Sequence, residues 1–128
     1  MRRLLFLSVL FSLVCFFNTA VAQELRVYTL DQDNDSFVEP SRIVLFPGDT
    51  LQFKSINGDF SIYIKDAYKF LKVTEDNLKI RVDSAGDDSS DLYVVRSVDS
   101  DAEVTFSIYC ISKDGWPDAP PRIIIVSQ

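Results

Sequence analysis

The chain has 128 residues with 13 basic and 19 acidic side chains, contains no histidine, and carries a formal net charge of −6 at pH 7. This charge argues against nucleic acid as a partner, because contacts with phosphates require positive side chains. The chain also lacks imidazoles for general-base work, a glycine-rich phosphate loop and a zinc ligand set, so we expect no enzymatic activity and no cofactor.

Residues 1–22 have the three parts of a secretory signal peptide. The sequence begins with MRR, continues with an apolar run over residues 4–17, and then has a small-residue cleavage site at Ala20 and Ala22. The run is shorter than the roughly 20 residues that a membrane-spanning helix requires. We therefore expect a periplasmic or extracellular protein with no membrane span in the mature chain. Residues 23–128 then form one domain with 11 basic and 19 acidic side chains, a net charge of about −8.

The first half of this domain alternates apolar and polar residues in short segments, as half-buried strands do. The alternation predicts strands at residues 25–30, 43–46, 51–54 and 60–65, and the polar residues 31–36 are predicted to form a loop.

Two turn motifs and one short helical turn are predicted between these strands and the next ones. Pro47-Gly48-Asp49 predicts a tight turn, and Asn57-Gly58-Asp59 predicts a β-hairpin turn, because glycine and asparagine tolerate positive φ. Asp66 is predicted to cap one helical turn over residues 67–71.

The second half of the domain predicts four more strands, at residues 78–82, 92–98, 104–110 and 122–126, with an exposed polar loop at residues 83–91. The strand at 104–110 places Val104, Phe106, Ile108 and Cys110 on one face. The last strand is β-branched on both faces and is predicted to lie inside a sheet. Between these two strands, the prolines of residues 112–121 predict a stiff, extended loop.

The resulting pattern is that of an all-β fold, a Greek-key β-sandwich of about seven to eight strands. Two segments resemble the cupredoxins, the plastocyanin-like copper sandwiches. PGDTLQF at residues 47–53, followed by a strand at Phe60, is similar to that family's P-G-D turn and the strand after it. FSIYC at residues 106–110, a loop and a β-branched final strand are similar to its cysteine-bearing strand, ligand loop and last strand. The alternative is an immunoglobulin-like sandwich.

The copper ligands of the cupredoxins do not carry over to this chain. A blue-copper site uses two imidazoles and a thiolate, often with an axial methionine. Only Cys110 matches that set, since Ser112, Lys113 and Asp114 stand where a histidine is expected and Trp116 is the large residue nearest the methionine position. The resemblance therefore implies the fold and removes the family's function, and we predict no metal site.

Two other features of the sequence are candidate sites. Cys110, the one cysteine of the mature chain, is predicted to be a small buried side chain, with a reactive or intermolecular thiol as the alternative. Asp31, Asp33 and Asp35 have the alternate spacing of calcium ligands but lack the later glycine and glutamate of an EF-hand loop. Weak calcium binding there, or in a second acidic loop at residues 83–91, is the alternative to an ordinary solvated loop.

The main functional prediction concerns the loop at residues 112–121, which we call the recognition loop, and the aromatic residues expected near it. Exposed aromatic side chains at one end of a sandwich would form an anchor for a partner. The candidate residues are Lys113, Asp114, Trp116, Pro117, Tyr68 and Phe70. The opposing interpretation of Trp116 is that it plugs the end of the core.

These observations favour a non-catalytic binding or interaction module with an unknown protein partner. The alternative is a small acidic inhibitor or immunity-type protein that neutralises a cationic enzyme. A copper or electron-transfer protein with an atypical site is a further hypothesis, which a single thiolate without imidazoles disfavours.

Overall fold

The computed structural model describes residues 23–127. The signal peptide predicted at residues 1–22 lies outside them. The described residues form ten strands and one 3-10 turn. The strands are β1 (Leu25–Asp31), β2 (Val38–Glu39), β3 (Arg42–Leu45), β4 (Thr50–Asn57), β5 (Asp59–Ile64), β6 (Leu78–Asp83), β7 (Tyr93–Val94), β8 (Ala102–Val104), β9 (Phe106–Cys110) and β10 (Arg122–Ile125), and the 3-10 turn covers Ala67–Lys69.

The strands form three hydrogen-bonded sheets, with the orders β2-β1-β4-β7, β3-β10-β8 and β6-β5-β9. Pairing is mixed, because β1 runs parallel to β4 and β10 runs parallel to β3, whereas the other pairs are antiparallel. The buried side chains of all three sheets contribute to one hydrophobic core. The prediction of an all-β sandwich is confirmed.

The strand predicted at residues 104–110 is divided between two sheets, which corrects the prediction of one continuous strand. Thr105 separates β8, which pairs with β10, from β9, which pairs with β5. Because Pro120 and Pro121 precede β10 and have no N–H group to donate, they cannot extend its ladder along β9. The alternation itself holds, since Val104, Phe106, Ile108 and Cys110 are all buried.

The position predicted for the last strand is confirmed. β10 lies between β3 and β8, with Ile123 paired with both Ile43 and Val104. Ile123 and Ile125 are completely buried or nearly so, while Arg122 is exposed. This strand therefore joins the first and last parts of the domain within one sheet.

The two glycine turns connect different sheets and do not close hairpins. At the first, the Asp49 N–H donates to the Phe46 carbonyl at 3.0 Å, and Gly48 has a φ of 89°. At the second, Gly58 has a φ of 110°. β3 and β4 nevertheless lie in separate sheets, as do β4 and β5, so the hairpin predicted at Asn57-Gly58-Asp59 is wrong. A turn motif fixes the reversal of the chain but not the partner of the strand that follows.

Three local predictions are also corrected. Asp66 adopts a left-handed φ of 53° and makes no side-chain hydrogen bond that caps the 3-10 turn, which covers three residues. The loop at residues 83–91 is not fully exposed, because residues 88–90 lie against β4. The Ser55 N–H donates to the Asp88 carbonyl at 2.7 Å, and the Ser90 N–H donates to the Phe53 carbonyl at 2.8 Å. The strand predicted at residues 92–98 is reduced to Tyr93–Val94.

None of the helices among residues 23–127 is long and apolar enough to cross a membrane. The described part of the chain contains one short 3-10 turn.

Candidate functional site

Two loops that are distant in sequence meet at one end of the sandwich. The Ser112 hydroxyl donates to Gln32 Oε1 at 2.7 Å, although these residues are 80 positions apart. The Asp118 N–H donates to the Asp35 carbonyl at 2.9 Å. Lys113 Nζ lies 3.4 Å from an oxygen of Asp33. These two loops, which are far apart in sequence, therefore form one surface, which we call the loop end.

The loop after β9 is shaped by its own backbone. Cys110 and Gly115 exchange two hydrogen bonds, of 2.9 and 3.2 Å, so that the chain folds back at once after the strand. Asp114 stands in the turn with a left-handed φ of 49°, a conformation that aspartate tolerates better than most residues. Its carboxylate accepts a hydrogen bond from the Tyr109 hydroxyl. These contacts hold Gly115 and the residue after it in a defined position.

The loop after β1 is held by side chains that bond to the backbone. Asp31 Oδ1 accepts the Asp33 N–H at 3.0 Å, and Asn34 Oδ1 accepts the Ser36 N–H at 3.2 Å. Such short-range contacts are typical of Asx turns. Phe37 ends the loop with a φ of 61° and is buried against Phe60, with a ring-centroid distance of 5.8 Å.

A surface cavity of about 270 Å³ lies between the two loops. Its walls combine aromatic, amide, carboxylate and ammonium groups, supplied by Gln32, Asp33, Asn34, Asp35, Phe37, Lys113, Gly115, Trp116 and Asp118. Four of these residues, Gln32, Asn34, Phe37 and Asp118, are not among the site residues predicted from the sequence. Gln32, Asn34 and Phe37 become neighbours of the recognition loop only through packing between distant segments, whereas Asp118 lies within that loop but has no feature in the sequence that marks it as a site residue.

Trp116 forms an exposed wall of this cavity. Its side chain is 65% exposed, and its ring meets that of Tyr109 edge to face at a centroid distance of 5.0 Å. The interpretation of Trp116 as a plug of the core is therefore wrong. The indole is oriented by a neighbouring aromatic ring while most of its surface remains in contact with solvent.

The charges around the cavity are unequal. Asp33, Asp35 and Asp118 contribute three carboxylates, and Lys113 contributes the one ammonium group among the lining residues. Lys113 is paired with Asp33, whose second oxygen accepts a hydrogen bond from Asn57 Nδ2 at 3.0 Å. Asp35 and Asp118 have no side-chain hydrogen bond or ion pair with any described residue. Two carboxylates at the loop end therefore have no partner among the described residues.

Two of the three aspartates considered as calcium ligands, Asp31 and Asp33, accept hydrogen bonds from the protein. Asn57 Nδ2 donates at 3.0 Å to Asp31 Oδ1 and at 3.0 Å to Asp33 Oδ2. In the second acidic loop, Asp83 Oδ1 accepts the Ala85 N–H at 2.9 Å. Over residues 23–127, no three histidine, cysteine, aspartate or glutamate side chains converge as a metal site would require.

Tyr68 and Phe70 do not join the recognition loop. In the register of β5 and β9, Phe60 pairs with Cys110 at the loop end and Ile64 pairs with Phe106 at the other end. Tyr68 and Phe70 follow Ile64, so they lie at the end of the sandwich opposite Trp116. Phe70 packs against the core, and Tyr68 is 41% exposed. The expectation that these aromatic residues share one surface with Trp116 is wrong.

The other residues predicted for the recognition loop lie near Trp116 in the chain. Lys113 and Asp114 are exposed, and Pro117 is half-buried next to Trp116. Cys110 is completely buried, as predicted for a core residue, with its Sγ atom 3.3 Å from Ser112 Oγ.

Comparisons with known proteins give a likeness to solved structures but no match in sequence. Neither a scan against models of protein families nor a search of curated proteins finds a match. Among solved structures, the chain is similar to a mutant of amicyanin in its reduced Cu(I) form at pH 4. The similarity covers 85% of this chain and 87% of that one, with 11% sequence identity and a TM-score of 0.48. At this level the likeness carries no conclusion about copper or any other function of the present chain.

Proposed function

We propose that the mature chain is an exported, non-catalytic binding module that recognises a protein partner through the loop end. The observation that carries the proposal is Trp116, which is 65% exposed beside a cavity of about 270 Å³. Tryptophan is among the residues that most often dominate the affinity of protein interfaces. An indole left in solvent and oriented by Tyr109 is suited to such contacts.

The loop end is organised before any partner binds. Backbone bonds between Cys110 and Gly115 and between Asp118 and Asp35 restrict both loops that line the cavity. A restricted loop loses less conformational entropy on binding than a flexible one. The proposed surface therefore combines an aromatic anchor with a rigid setting.

The proposal includes no catalytic step. The cavity offers carboxylates, amides, an indole and one lysine that is already paired with Asp33. General-base or nucleophilic catalysis depends on a group with a suitable pKa next to the group that it activates. No histidine, cysteine or serine is among the described residues that line the cavity.

The experiment is a comparison of partner capture by matched variants. Tagged protein covering residues 23–128 would be incubated with the exported protein fraction of the source organism, and captured proteins would be quantified by mass spectrometry. The Trp116→Ala variant should lose the partner, whereas Tyr68→Ala, which removes an exposed aromatic ring at the opposite end, should retain it. Equal capture by wild type and Trp116→Ala would overturn the proposal.

A second candidate is the acidic inhibitor or immunity-type protein. Three carboxylates against one ammonium group at the cavity favour it, because they match the surface of a basic enzyme. Inhibition of the captured partner's activity by stoichiometric amounts of the mature chain would support this candidate over a simple binding module.

A further inference from the structure

We propose that the cavity beside Trp116 receives a single basic side chain, the guanidinium of an arginine or the ammonium of a lysine, from a basic partner protein. This inference rests on the proposed function and names the chemistry that the loop end recognises.

The cavity has an excess of negative charge. Lys113 lies 3.4 Å from Asp33, which leaves the carboxylates of Asp35 and Asp118 without partners among the described residues. Their backbones are hydrogen-bonded at 2.9 Å, so the two carboxylates start from neighbouring positions. A cation bound between them would be attracted by both, and the overall charge of the chain, −6, acts in the same direction.

One wall of the cavity is the aromatic ring of Trp116. A guanidinium or ammonium group close to an indole face is attracted by the negative potential of the ring, and tryptophan gives the strongest attraction of this kind. Trp116 lines the same cavity as Asp35 and Asp118 and is 65% exposed. An aromatic ring next to unpaired carboxylates suits a cation better than it suits a neutral apolar group.

An anion entering the cavity would meet no unpaired positive side chain among the lining residues. The N–H groups of Asp118 and Ala119 both point to the Asp35 carbonyl, at 2.9 and 3.5 Å. The lysine in the cavity is paired with Asp33. An acidic group entering the cavity would therefore face carboxylates without a compensating charge.

The size of the cavity points to a side chain and not to a larger ligand. Its volume of about 270 Å³ is slightly below the range of pockets that enclose a drug-sized molecule, roughly 300–1,000 Å³. The end of an arginine or lysine side chain fits this space, while the rest of the partner would contact the rim.

The test is an NMR titration of isotope-labelled protein covering residues 23–128 with four small probes. These are the N-acetyl amides of arginine, lysine, norleucine and glutamate. Arginine and lysine amides should give saturable shifts of the Trp116 indole N–H and of residues 33–35 and 116–118, with dissociation constants of roughly millimolar size. Norleucine and glutamate amides should give none. Equal binding of norleucine amide would overturn the inference in favour of apolar recognition.

Matched variants separate charge at the cavity from total charge. The double variant Asp35→Asn/Asp118→Asn should weaken the binding of arginine amide by at least roughly tenfold, because it removes both unpaired carboxylates. Glu75→Gln/Asp76→Asn makes the same change in charge at exposed residues near the opposite end and should bind as wild type does. Raising the salt concentration from low to about 0.5 M should weaken the binding of arginine amide and leave the spectrum of the free protein unchanged.

The outcomes distinguish this inference from the proposed function. If Trp116→Ala loses the captured partner but no probe shifts the loop-end resonances, the proposed function is retained. The inference that the cavity binds a basic side chain is then wrong. If Trp116→Ala retains the partner, the proposed function itself fails. If both double variants bind arginine amide equally weakly, the total charge of the protein and not the cavity attracts the probe. That result would also overturn the inference.

Discussion

Ser112 and Gln32 connect the two loops of the candidate site through a hydrogen bond of 2.7 Å that spans 80 positions of sequence. The same hydroxyl accepts the Asp59 N–H at 3.1 Å, so it also holds the start of β5. One small side chain therefore links three segments at the loop end.

Replacing Ser112 should loosen the loop end. Ser112→Ala removes both hydrogen bonds, and we expect a loss of unfolding free energy of about 1 kcal/mol. Amide exchange at residues 31–35 should also become faster, because the loop after β1 loses one of its contacts with the loop after β9. Ser100→Ala, at an exposed serine, is the control. Unchanged exchange at residues 31–35 would contradict the role given to Ser112.

The emission of Trp116 reports the exposure of the loop directly, since the chain has one tryptophan. We expect the red-shifted emission of a solvated indole and efficient quenching by acrylamide in the native state, because the side chain is 65% exposed. Denaturation should then change the emission maximum little. A blue, shielded emission from the native protein would contradict the exposed position of Trp116.

Asp49 should be essential for the turn before β4. Its carboxylate is buried and accepts the N–H groups of Phe46 and Glu24, each at 3.0 Å. Asp49→Ala leaves these donors without that acceptor, and we expect a loss of about 1–3 kcal/mol in urea unfolding. Asp99→Ala removes an exposed carboxylate and should change stability by less than about 0.5 kcal/mol. Equal stability of the two variants would show that the turn does not need Asp49.

Removing β10 should prevent cooperative folding. A chain that ends after Pro121 lacks Ile123 and Ile125 and leaves β3 and β8 without the strand between them. We expect an aggregating or loosely packed product that lacks near-UV circular dichroism. A chain that ends after Val126 keeps β10 and should unfold cooperatively. Native near-UV dichroism in the shorter chain would show that β10 is dispensable.

Tyr28 should make the fold sensitive to alkaline pH. Its ring is completely buried, and burial raises the pKa of its hydroxyl, which donates to the Arg122 carbonyl at 2.8 Å. In the unfolded chain, tyrosine loses its proton near pH 10, so the free energy of unfolding should be steady below about pH 10 and fall above it. Urea midpoints at increasing pH measure this decline. Tyr28→Phe should lose about 1 kcal/mol at neutral pH and show a shallower decline. An equal decline in both proteins would exclude Tyr28 as a source.

The parts of the fold that the sequence predicted correctly depend on local patterns. Alternation placed Phe60, Ile62 and Ile64 on the buried face of β5, and Leu78, Ile80 and Val82 on that of β6, as the structure shows. The pairing of strands could not be read in this way. The turns at Gly48 and Gly58 suggested adjacent strands, yet both lead the chain into another sheet.

The same distinction between local patterns and long-range contacts applies to the candidate site. The sequence identified Trp116 and the stiff loop around it, because tryptophan and proline are visible without knowledge of their neighbours. It could not show that Asp35 and Asp118 are neighbours, or that Tyr68 lies at the far end. Nor could it choose between a buried and an exposed indole, since a tryptophan in a proline-rich loop is compatible with both.

The sequence by itself thus determined most of the strands, the faces that they bury and the acidic, histidine-free chemistry of the chain, because these follow from residue type and from the two-residue period of an extended backbone. Only the tertiary structure decided which strands pair, where β8 gives way to β9, and which loops form the cavity. These features depend on contacts between residues such as Gln32 and Ser112, 80 positions apart. Contacts of that kind arise when distant segments pack together on a common core, and no local pattern in either segment records the other.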